Sequence, residues 1–504
     1  MNRRRLLQGL AASAFGCAAS SLPRRRSGLG AAALPLGATP ESMFEVFLLG
    51  GLGPWESFYA VEEHGATGDP AGYWCFQKEG KPTLQQWLDR CVKDPRPLLQ
   101  PFGLDANQAR VNLGPFVYPL RDRPDLLKRM RVWVMQHPFE PHEAGIPLAM
   151  TGHARGNPRS AALGTHFNAF LADPGRPLPL AYTLMMSSFN VLAGNNTDAA
   201  GAVGLHAAAA RPLAVRLPGS DLLDRLPRAA VGGHRVQLDA LVDHYTRRLG
   251  ARLLGTSGAP LRRPGLEDFA FARRVLAQVD ALGELLPADV LGAELVQACS
   301  FNPSTPITVP VLDEVSTGMR VATRLITDPV WPARHVQLID GGLWTDEEGI
   351  GYDSHSDHVE RQGTNLVHSL KQLASQINEP GEADPRKLDL DRHFVLLNTE
   401  FGRGPRPERS VRNPKGTGSD HWPWGYVVVG LGGFIDESRA GVVGAIGPDF
   451  RATDYTTPTE HRAAMLLANG INPMHELAFA VGDVRGATTE EDALMILRER
   501  VLGF

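Results

Sequence analysis

Four short segments of the chain place acidic, histidine or arginine side chains close together, where they could hold a metal ion or an anionic substrate. The densest spans residues 351–358. Within it Asp353 and His355 would point the same way along an extended segment, because side chains alternate with a period of two. A carboxylate and an imidazole on one side form half of a transition-metal site. This spacing predicts that Asp353 and His355 bind a metal.

Two segments nearer the N-terminus contribute further candidates. His142 belongs to residues 136–143, where two histidines and two acids form either a metal site or a polar loop before a helix. Glu56 follows the glycine-rich turn of residues 50–53, and a solvated glutamate is the alternative to a ligand there. The role of each segment stays open at this point.

The fourth segment begins at Glu400 and continues, after a stretch rich in Arg, Pro and Gly, to Asp420 and His421. An acid near a strand end with an Asp-His pair behind it suits metal binding, so these three residues are candidate ligands. Arg403 could bind an anionic substrate, because a guanidinium contacts phosphate or sulfate through two parallel hydrogen bonds. A structural ion pair between Glu400 and Arg403 is the alternative. Residues 403–419 are predicted to form a loop.

Buried strands and amphipathic helices alternate along the chain and must position these side chains. Short apolar runs predict strands at 44–49, 132–135, 335–339, 394–397 and 426–429, and helical patterns occupy 365–377 and 460–468. This alternation predicts an α/β fold with a mainly parallel central sheet. Each candidate segment follows or adjoins a predicted strand, and ligands of such sheets bind at the carboxyl ends of strands.

Residues 220–300 differ from the rest of the chain. They are rich in Leu, Ala and Arg at helical spacing. This pattern predicts a helical insertion, which we place at about 220–325 within a domain of residues 39–504.

The N-terminal 38 residues have the pattern of an export signal. Arg3, Arg4 and Arg5 precede a weakly apolar stretch at residues 6–22, which predicts a twin-arginine signal and a periplasmic or secreted protein. That stretch is shorter than the ~20 apolar residues of a membrane span, and a retained anchor is the alternative. No later segment is long and apolar enough to span a membrane. The signal itself predicts the twin-arginine translocase as the partner during export.

Charge and cysteine content exclude some classes of protein. Residues 1–38 hold six arginines and no acid, so the net charge falls from −4 to −10 without them, which argues against a nucleic-acid partner. The remaining cysteines, Cys75, Cys91 and Cys299, are too few for a disulfide framework. One bridge between Cys75 and Cys91, or free buried thiols, are both open.

The order of these segments resembles the domain-of-unknown-function family 1501, whose members are exported by the twin-arginine route and are related to the alkaline phosphatase and sulfatase superfamily. The similarity runs from residue 43 almost to the C-terminus. It rests on TEFGR at 399–403, DHWP at 420–423, DSHS at 353–356, the glycine turn at 50–51 and the closing helix at 457–473. The family usually has Asp where this chain has Glu56.

The resemblance implies a three-layer α/β/α fold of the alkaline phosphatase type with one or two metals at the strand ends. It implies that Glu56 is the first acidic ligand, that Asp353 and His355 form the middle pair, and that Glu400 is the late acid. Asp420 or His421 would be the last ligand.

His142 stands at the position of the sulfatase nucleophile, which is normally Cys, Ser or Thr. The resemblance therefore leaves three roles for His142: a metal ligand, a loop histidine or, less often, a nucleophile.

Together these features predict a metal-dependent hydrolase of phosphate or sulfate esters, acting on a small molecule or a glycan. A metal-activated water would attack, and Arg403 would stabilise the anion. Imidazole with carboxylate favours Zn or Mn over Mg or Ca. A non-catalytic, metal-stabilised envelope or glycan-binding protein on the same fold is the alternative. An open metal position would favour catalysis, and a saturated metal would favour the alternative.

Overall fold

A computed structural model describes most of the chain. It covers residues 32–35, 37–65, 84–171, 178–186, 198–217, 233–255, 265–266, 268–271, 273, 275, 283–286, 288–292, 294–299, 308–343, 345–346, 349–408 and 417–504. The predicted export signal at 1–38 lies outside the described residues except for 32–35 and 37–38.

Eighteen strands occur among the described residues. They are β1 (Ser42–Leu48), β2 (Gln100–Leu104), β3 (Arg110–Leu113), β4 (Met130–Met135), β5 (Ala181–Met186), β6 (Leu213–Leu217), β7 (Leu295–Cys299), β8 (Thr308–Leu312), β9 (His335–Asp340), β10 (Thr345–Asp346), β11 (Gly349–Ile350), β12 (His393–Asn398), β13 (Gly402–Glu408), β14 (Gly418–Trp422), β15 (Tyr426–Gly432), β16 (Gly441–Val443), β17 (Ala445–Ile446) and β18 (Ala452–Asp454).

Eight of these strands form one central sheet in the order β16-β4-β15-β12-β1-β9-β5-β6. Strand β15 is antiparallel to both of its neighbours, and the other pairs are parallel. All five strands predicted from the sequence belong to this sheet. The predicted α/β class with a mainly parallel sheet is confirmed.

The α-helices of the described residues are α1 (Glu62–Gly65), α2 (Leu84–Trp87), α3 (Pro124–Leu127), α4 (His142–Thr151), α5 (Leu163–Leu171), α6 (Gly233–Leu254), α7 (Ala288–Leu291), α8 (Glu314–Thr327), α9 (His358–Ser375), α10 (Pro458–Ala468) and α11 (Glu490–Ile496). Helix α10 contains the pattern predicted at 460–468, and α9 contains the one predicted at 365–377 except for its last two residues. In α10 the N-cap side chain of Thr457 and the side chain of Glu460 form a capping box, and Pro458 suits the first turn.

The sheet lies between two layers of helices. Alternate side chains of a strand point to opposite faces, so Val132 and Val134 pack in the same core as α8 and α9. Trp133 and Met135 pack on the other face with α10 and α11. Strand β1 is buried along its whole length because both of its faces are covered, which explains why most of its residues are apolar. The arrangement is a three-layer α/β/α fold.

One charged side chain of β1 lies inside this core. Glu45 is fully buried, and Arg462 of α10 contacts both of its carboxylate oxygens, with Nη1 3.0 Å from Oε2. Asn398 donates a further hydrogen bond of 3.0 Å to Glu45. A buried carboxylate is costly unless it is paired and hydrogen-bonded, and these contacts supply both conditions.

The predicted insertion at 220–325 contains, in its described parts, helices α6 and α7 and the antiparallel pair β7–β8. Helix α8, which lies at the C-terminal end of the predicted insertion, packs on the central sheet. The limits of the insertion stay a prediction. No helix among the described residues is long and apolar enough to cross a membrane.

A disulfide joins Cys91 to Cys299 of β7, across 208 residues of sequence. A Cys75–Cys91 bridge is therefore ruled out by the pairing of Cys91, and Cys75 lies outside the described residues. Sequence spacing alone does not fix the pairing of three cysteines.

The predicted loop at 403–419 is wrong at both ends, because β13 and β14 pair there as an antiparallel ribbon. Register shifts between Arg403 and Pro407, and such an irregularity accommodates proline in a paired strand. The ribbon is short and separate from the central sheet, so it lacks the apolar run that marks a buried strand.

Candidate metal centre

Four side chains from different parts of the chain meet at one edge of the central sheet. His142 begins α4, which follows β4, and His421 lies on β14. Asp353 and His355 lie in the segment between β11 and α9. One ligand atom from each of these four residues lies within 4.8 Å of the others, and we call them the ligand cluster.

The distances inside the ligand cluster match those between donors on one ion. His142 Nε2 lies 3.4 Å from Asp353 Oδ2, and His355 Nε2 lies 3.1 Å from Asp353 Oδ1. His421 Nε2 lies 3.7 Å from Asp353 Oδ1 and 3.1 Å from His355 Nε2. Two donors bound to one tetrahedral zinc ion at about 2.0–2.2 Å lie about 3.3–3.6 Å apart. The four distances above lie near that spacing, and all four donors lie within 4.8 Å of one another, so the cluster could hold a metal ion.

Carboxylates orient two of the imidazoles from behind. Glu400 Oε1 lies 2.9 Å from His142 Nδ1, and Glu408 Oε2 lies 2.6 Å from His355 Nδ1. A metal-binding histidine almost always donates its other ring N–H to such a partner, which leaves the opposite nitrogen for the metal. His142 Nε2 is buried and faces Asp353 Oδ2 at 3.4 Å, so this nitrogen is turned into the cluster.

The glycine turn after β1 holds Asp353 and Glu400 in place. Gly50 N donates a hydrogen bond of 2.8 Å to Glu400 Oε1. A Cβ on Gly50 would lie 2.0 Å from the backbone nitrogen of Asp353, and its φ of +112° suits glycine alone. The turn therefore brings Asp353 and Glu400 to the same edge only because residue 50 is glycine.

Arg403 has a different role from the one predicted. It is fully buried, and its guanidinium donates to Gly50 O, to Ser419 O at 2.9 Å and to Asp353 Oδ1. These contacts leave it no surface for an anionic substrate. The structural alternative was an ion pair with Glu400, whereas the structure pairs Arg403 with Asp353.

The charges of the cluster set its protonation. Burial alone would raise the pKa of Asp353, but the charge of Arg403 and hydrogen bonds from three histidines outweigh it and hold that pKa far below its usual range. Burial would lower the pKa of His142, yet contacts with Asp353 and Glu400 raise it to about 9. Burial lowers the pKa of His421 despite its contact with Asp353. Metal-free His142 is therefore protonated at neutral pH, and an ion must displace that proton.

Residues 315–496 match the family model described as a protein of unknown function, DUF1501. The match spans somewhat more than a third of the chain and includes Asp353, His355 and His421, whereas His142 precedes it. It supports the resemblance drawn from the TEFGR and DHWP motifs over that range. No curated protein matches the chain.

Two predicted ligands lie apart from the cluster. Glu56 is fully buried, and its Oε1 lies 3.4 Å from His358 Nε2. Asp420 is exposed and belongs to a second candidate group with His355 and Glu408, whose ligand atoms also lie within 4.8 Å of one another. Glu400 reaches the site but contacts Nδ1 of His142, so it orients that imidazole.

Sequence reasoning missed Glu408 and His358. Glu408 lies at the end of β13, within a stretch that was predicted to be a loop, so no spacing pointed to it. His358 was part of the dense segment 351–358, but three residues beyond His355 it begins α9 and faces the core. The contact between Glu408 and His355 becomes clear only from the antiparallel ribbon, and the burial of His358 only from the start of α9.

Proposed function

We propose that this chain is a metal-dependent hydrolase of phosphate or sulfate esters that holds one Zn or Mn ion in the ligand cluster. The observation that carries the proposal is the convergence of three imidazole Nε2 atoms and the Asp353 carboxylate at ligand spacing. Imidazole with carboxylate suits Zn and Mn, whereas Mg and Ca prefer oxygen donors alone.

The residues of the cluster would divide the work of holding the ion and admitting the substrate. When bound, such an ion polarises an ester and lowers the pKa of a water ligand towards ~7. The side chain of His355 is 35% exposed, more than those of the other three, so the substrate side lies next to it. The position that holds Cys, Ser or Thr in sulfatases is His142 here, which favours attack by water over a covalent intermediate.

Arg403 would act through Asp353. Its buried guanidinium fixes the carboxylate and keeps it ionised, so that the carboxylate faces the three imidazoles as an anion. Glu400 and Glu408 would hold His142 and His355 in the tautomer that presents Nε2.

A second function has one observation in its favour. Four protein donors are enough to saturate a tetrahedral ion, and saturated sites are usually structural. A metal-stabilised protein that binds an envelope glycan without cleaving it would use the same cluster.

Elemental analysis and an ester assay on purified residues 39–504 test the proposal. We expect about one Zn or Mn per chain, hydrolysis of an aryl phosphate or aryl sulfate, loss of turnover with a chelator, and recovery when the metal is restored. A chain that keeps its metal but cleaves neither ester favours the binding protein. A chain that takes up no metal contradicts both functions.

Replacing Glu408 with alanine should weaken zinc affinity by about 10–100-fold, because loss of a partner behind a ligand typically costs that much. His355 would then lose the contact of 2.6 Å that orients it. Competition with a chromophoric chelator measures the change. Glu379→Ala removes an exposed glutamate on the surface and is the matched control. Equal affinities for the two variants would show that Glu408 does not orient His355.

We also propose export by the twin-arginine route to the periplasm or beyond it. The Cys91–Cys299 disulfide supports this location, because disulfides persist in oxidising compartments. Replacing Arg3 and Arg4 with lysine should leave unprocessed precursor in the cytoplasm, as judged by fractionation and immunoblotting. Normal periplasmic amounts of that variant would rule out this route.

A further inference from the structure

A fully buried serine separates the two ligands of the segment between β11 and α9. Ser354 lies between Asp353 and His355, and its side chain points away from them into the core. Its Oγ lies 2.7 Å from Nδ1 of His358, the first residue of α9, which is also fully buried. The backbone of Ser354 is held as well, because its carbonyl accepts a hydrogen bond of 2.9 Å from Ser419 N.

Glu56 lies on the other side of His358. Its carboxylate is fully buried, with Oε1 3.4 Å from His358 Nε2, and both oxygens accept no hydrogen bond from the described residues. A Cβ on Gly53 would lie 2.5 Å from Glu56 Oε2 and 3.3 Å from the His358 ring, so a larger residue there would collide with this pair. Burying a carboxylate that lacks hydrogen bonds is unfavourable, so its presence here calls for a role.

We propose that Glu56, His358 and Ser354 form a positioning chain that presents Asp353 and His355 to the metal; this inference rests on the proposed metal site. The carboxylate of Glu56 draws the ring proton of His358 to Nε2. Nδ1 of His358 then accepts a hydrogen bond that the Ser354 hydroxyl donates. That hydrogen bond keeps the Ser354 side chain in the core, and the alternation of side chains turns its two neighbours towards the ion.

The positioning chain has the same residue types as a catalytic triad of serine, histidine and acid. Its serine nevertheless cannot act as a nucleophile. A nucleophile must reach the substrate, and Ser354 has no exposed surface. The same geometry separates Glu56 from the ligand role that the resemblance implies, because its carboxylate faces His358.

Metal binding by wild type, Glu56→Gln, His358→Gln and Ser354→Ala tests the positioning chain. We expect about one Zn²⁺ per wild-type chain. The three variants should bind Zn²⁺ about 10–100-fold more weakly and should change the visible absorption spectrum of the Co²⁺-loaded protein, because the ligand geometry shifts. His358→Asn should recover part of the affinity, since its amide can still accept from Ser354. Thr165→Val, which removes a fully buried hydroxyl bonded to Ala202 O, is the matched control.

The possible outcomes are distinct. If wild type binds no Zn²⁺ or Co²⁺, the proposed function fails. If wild type binds metal and the three variants match it in affinity and spectrum, the positioning chain fails, whatever their melting temperatures. Two ions in wild type and one in Glu56→Gln would make Glu56 a ligand. Labelling of Ser354 by a fluorophosphonate would make it a nucleophile, and either result overturns the inference.

Discussion

Replacing His142 or Asp353 with alanine is expected to lower zinc affinity at least about 100-fold and to abolish ester hydrolysis. Loss of a ligand should cost more than loss of a partner behind it, which already costs about 10–100-fold. His142→Asp should restore part of the affinity, because a carboxylate can also bind zinc. Metal content and chelator competition, measured on wild type and the variants side by side, check this result.

Glu143→Ala is the matched control, because it removes the exposed acid next to His142. The affinity of wild type should also rise between pH 6 and 9, since the ion competes with the proton that His142 holds with a pKa of about 9. If only Asp353→Ala loses metal, His142 is a loop histidine held by Glu400. Normal metal content in His142→Ala without turnover would instead assign it as a nucleophile.

The fold was accessible from the sequence because both faces of the central strands are covered. Burial on both faces favours apolar runs such as those of β12 and, with Glu45 as its one charged residue, β1, and such runs are easy to recognise. Strand β15 has a similar apolar run but lies antiparallel to both of its neighbours. Its direction could not be predicted, because an apolar run does not indicate the direction of a strand. The ribbon β13–β14 was missed because its ladder is irregular and contains proline.

The ligand cluster was accessible only in part. Asp353 and His355 could be paired from their spacing alone, because they lie two residues apart on one extended segment. His142 and His421 were candidates from their own segments, and the expectation that they would meet Asp353 came from the placement of each segment next to a predicted strand and from the family resemblance. Glu56 shows the limit of that reasoning, because one position in a motif does not tell whether a carboxylate faces an ion or a histidine.

The role of Arg403 could not be predicted from the sequence, because the sequence does not show which partners its charge has. An arginine near a strand end suits an anionic substrate, and its type does not reveal whether it is exposed. Here the close turn at Gly50 supplies a carbonyl acceptor, and Asp353 supplies a carboxylate, so the guanidinium is satisfied inside the protein. The guanidinium of Arg403 therefore has no exposed surface with which to contact an anion.

The buried ion pair between Glu45 and Arg462 should dominate the response of the fold to mutation. Arg462→Met is expected to lower the free energy of unfolding by about 3–5 kcal/mol, because it leaves a buried carboxylate without its cation. Urea denaturation at pH 7 measures the loss. Arg392→Met removes the cation of an exposed pair with Glu41, whose side chains are 57% and 55% exposed, and should cost at most about 1 kcal/mol.

The pH dependence of this loss provides a sharper test. Burial would raise the pKa of Glu45, but the charge of Arg462 and hydrogen bonds from His335 and Arg462 outweigh it and hold that pKa well below its usual value of 4.5. In wild type the pair therefore contributes stability above pH 4.5 that declines as the pH falls further. Without Arg462, burial raises the pKa, so the variant gains stability relative to wild type as Glu45 is protonated. The difference between wild type and Arg462→Met should shrink from pH 7 to pH 4, and a difference that stays constant would show that the loss comes from packing and not from charge.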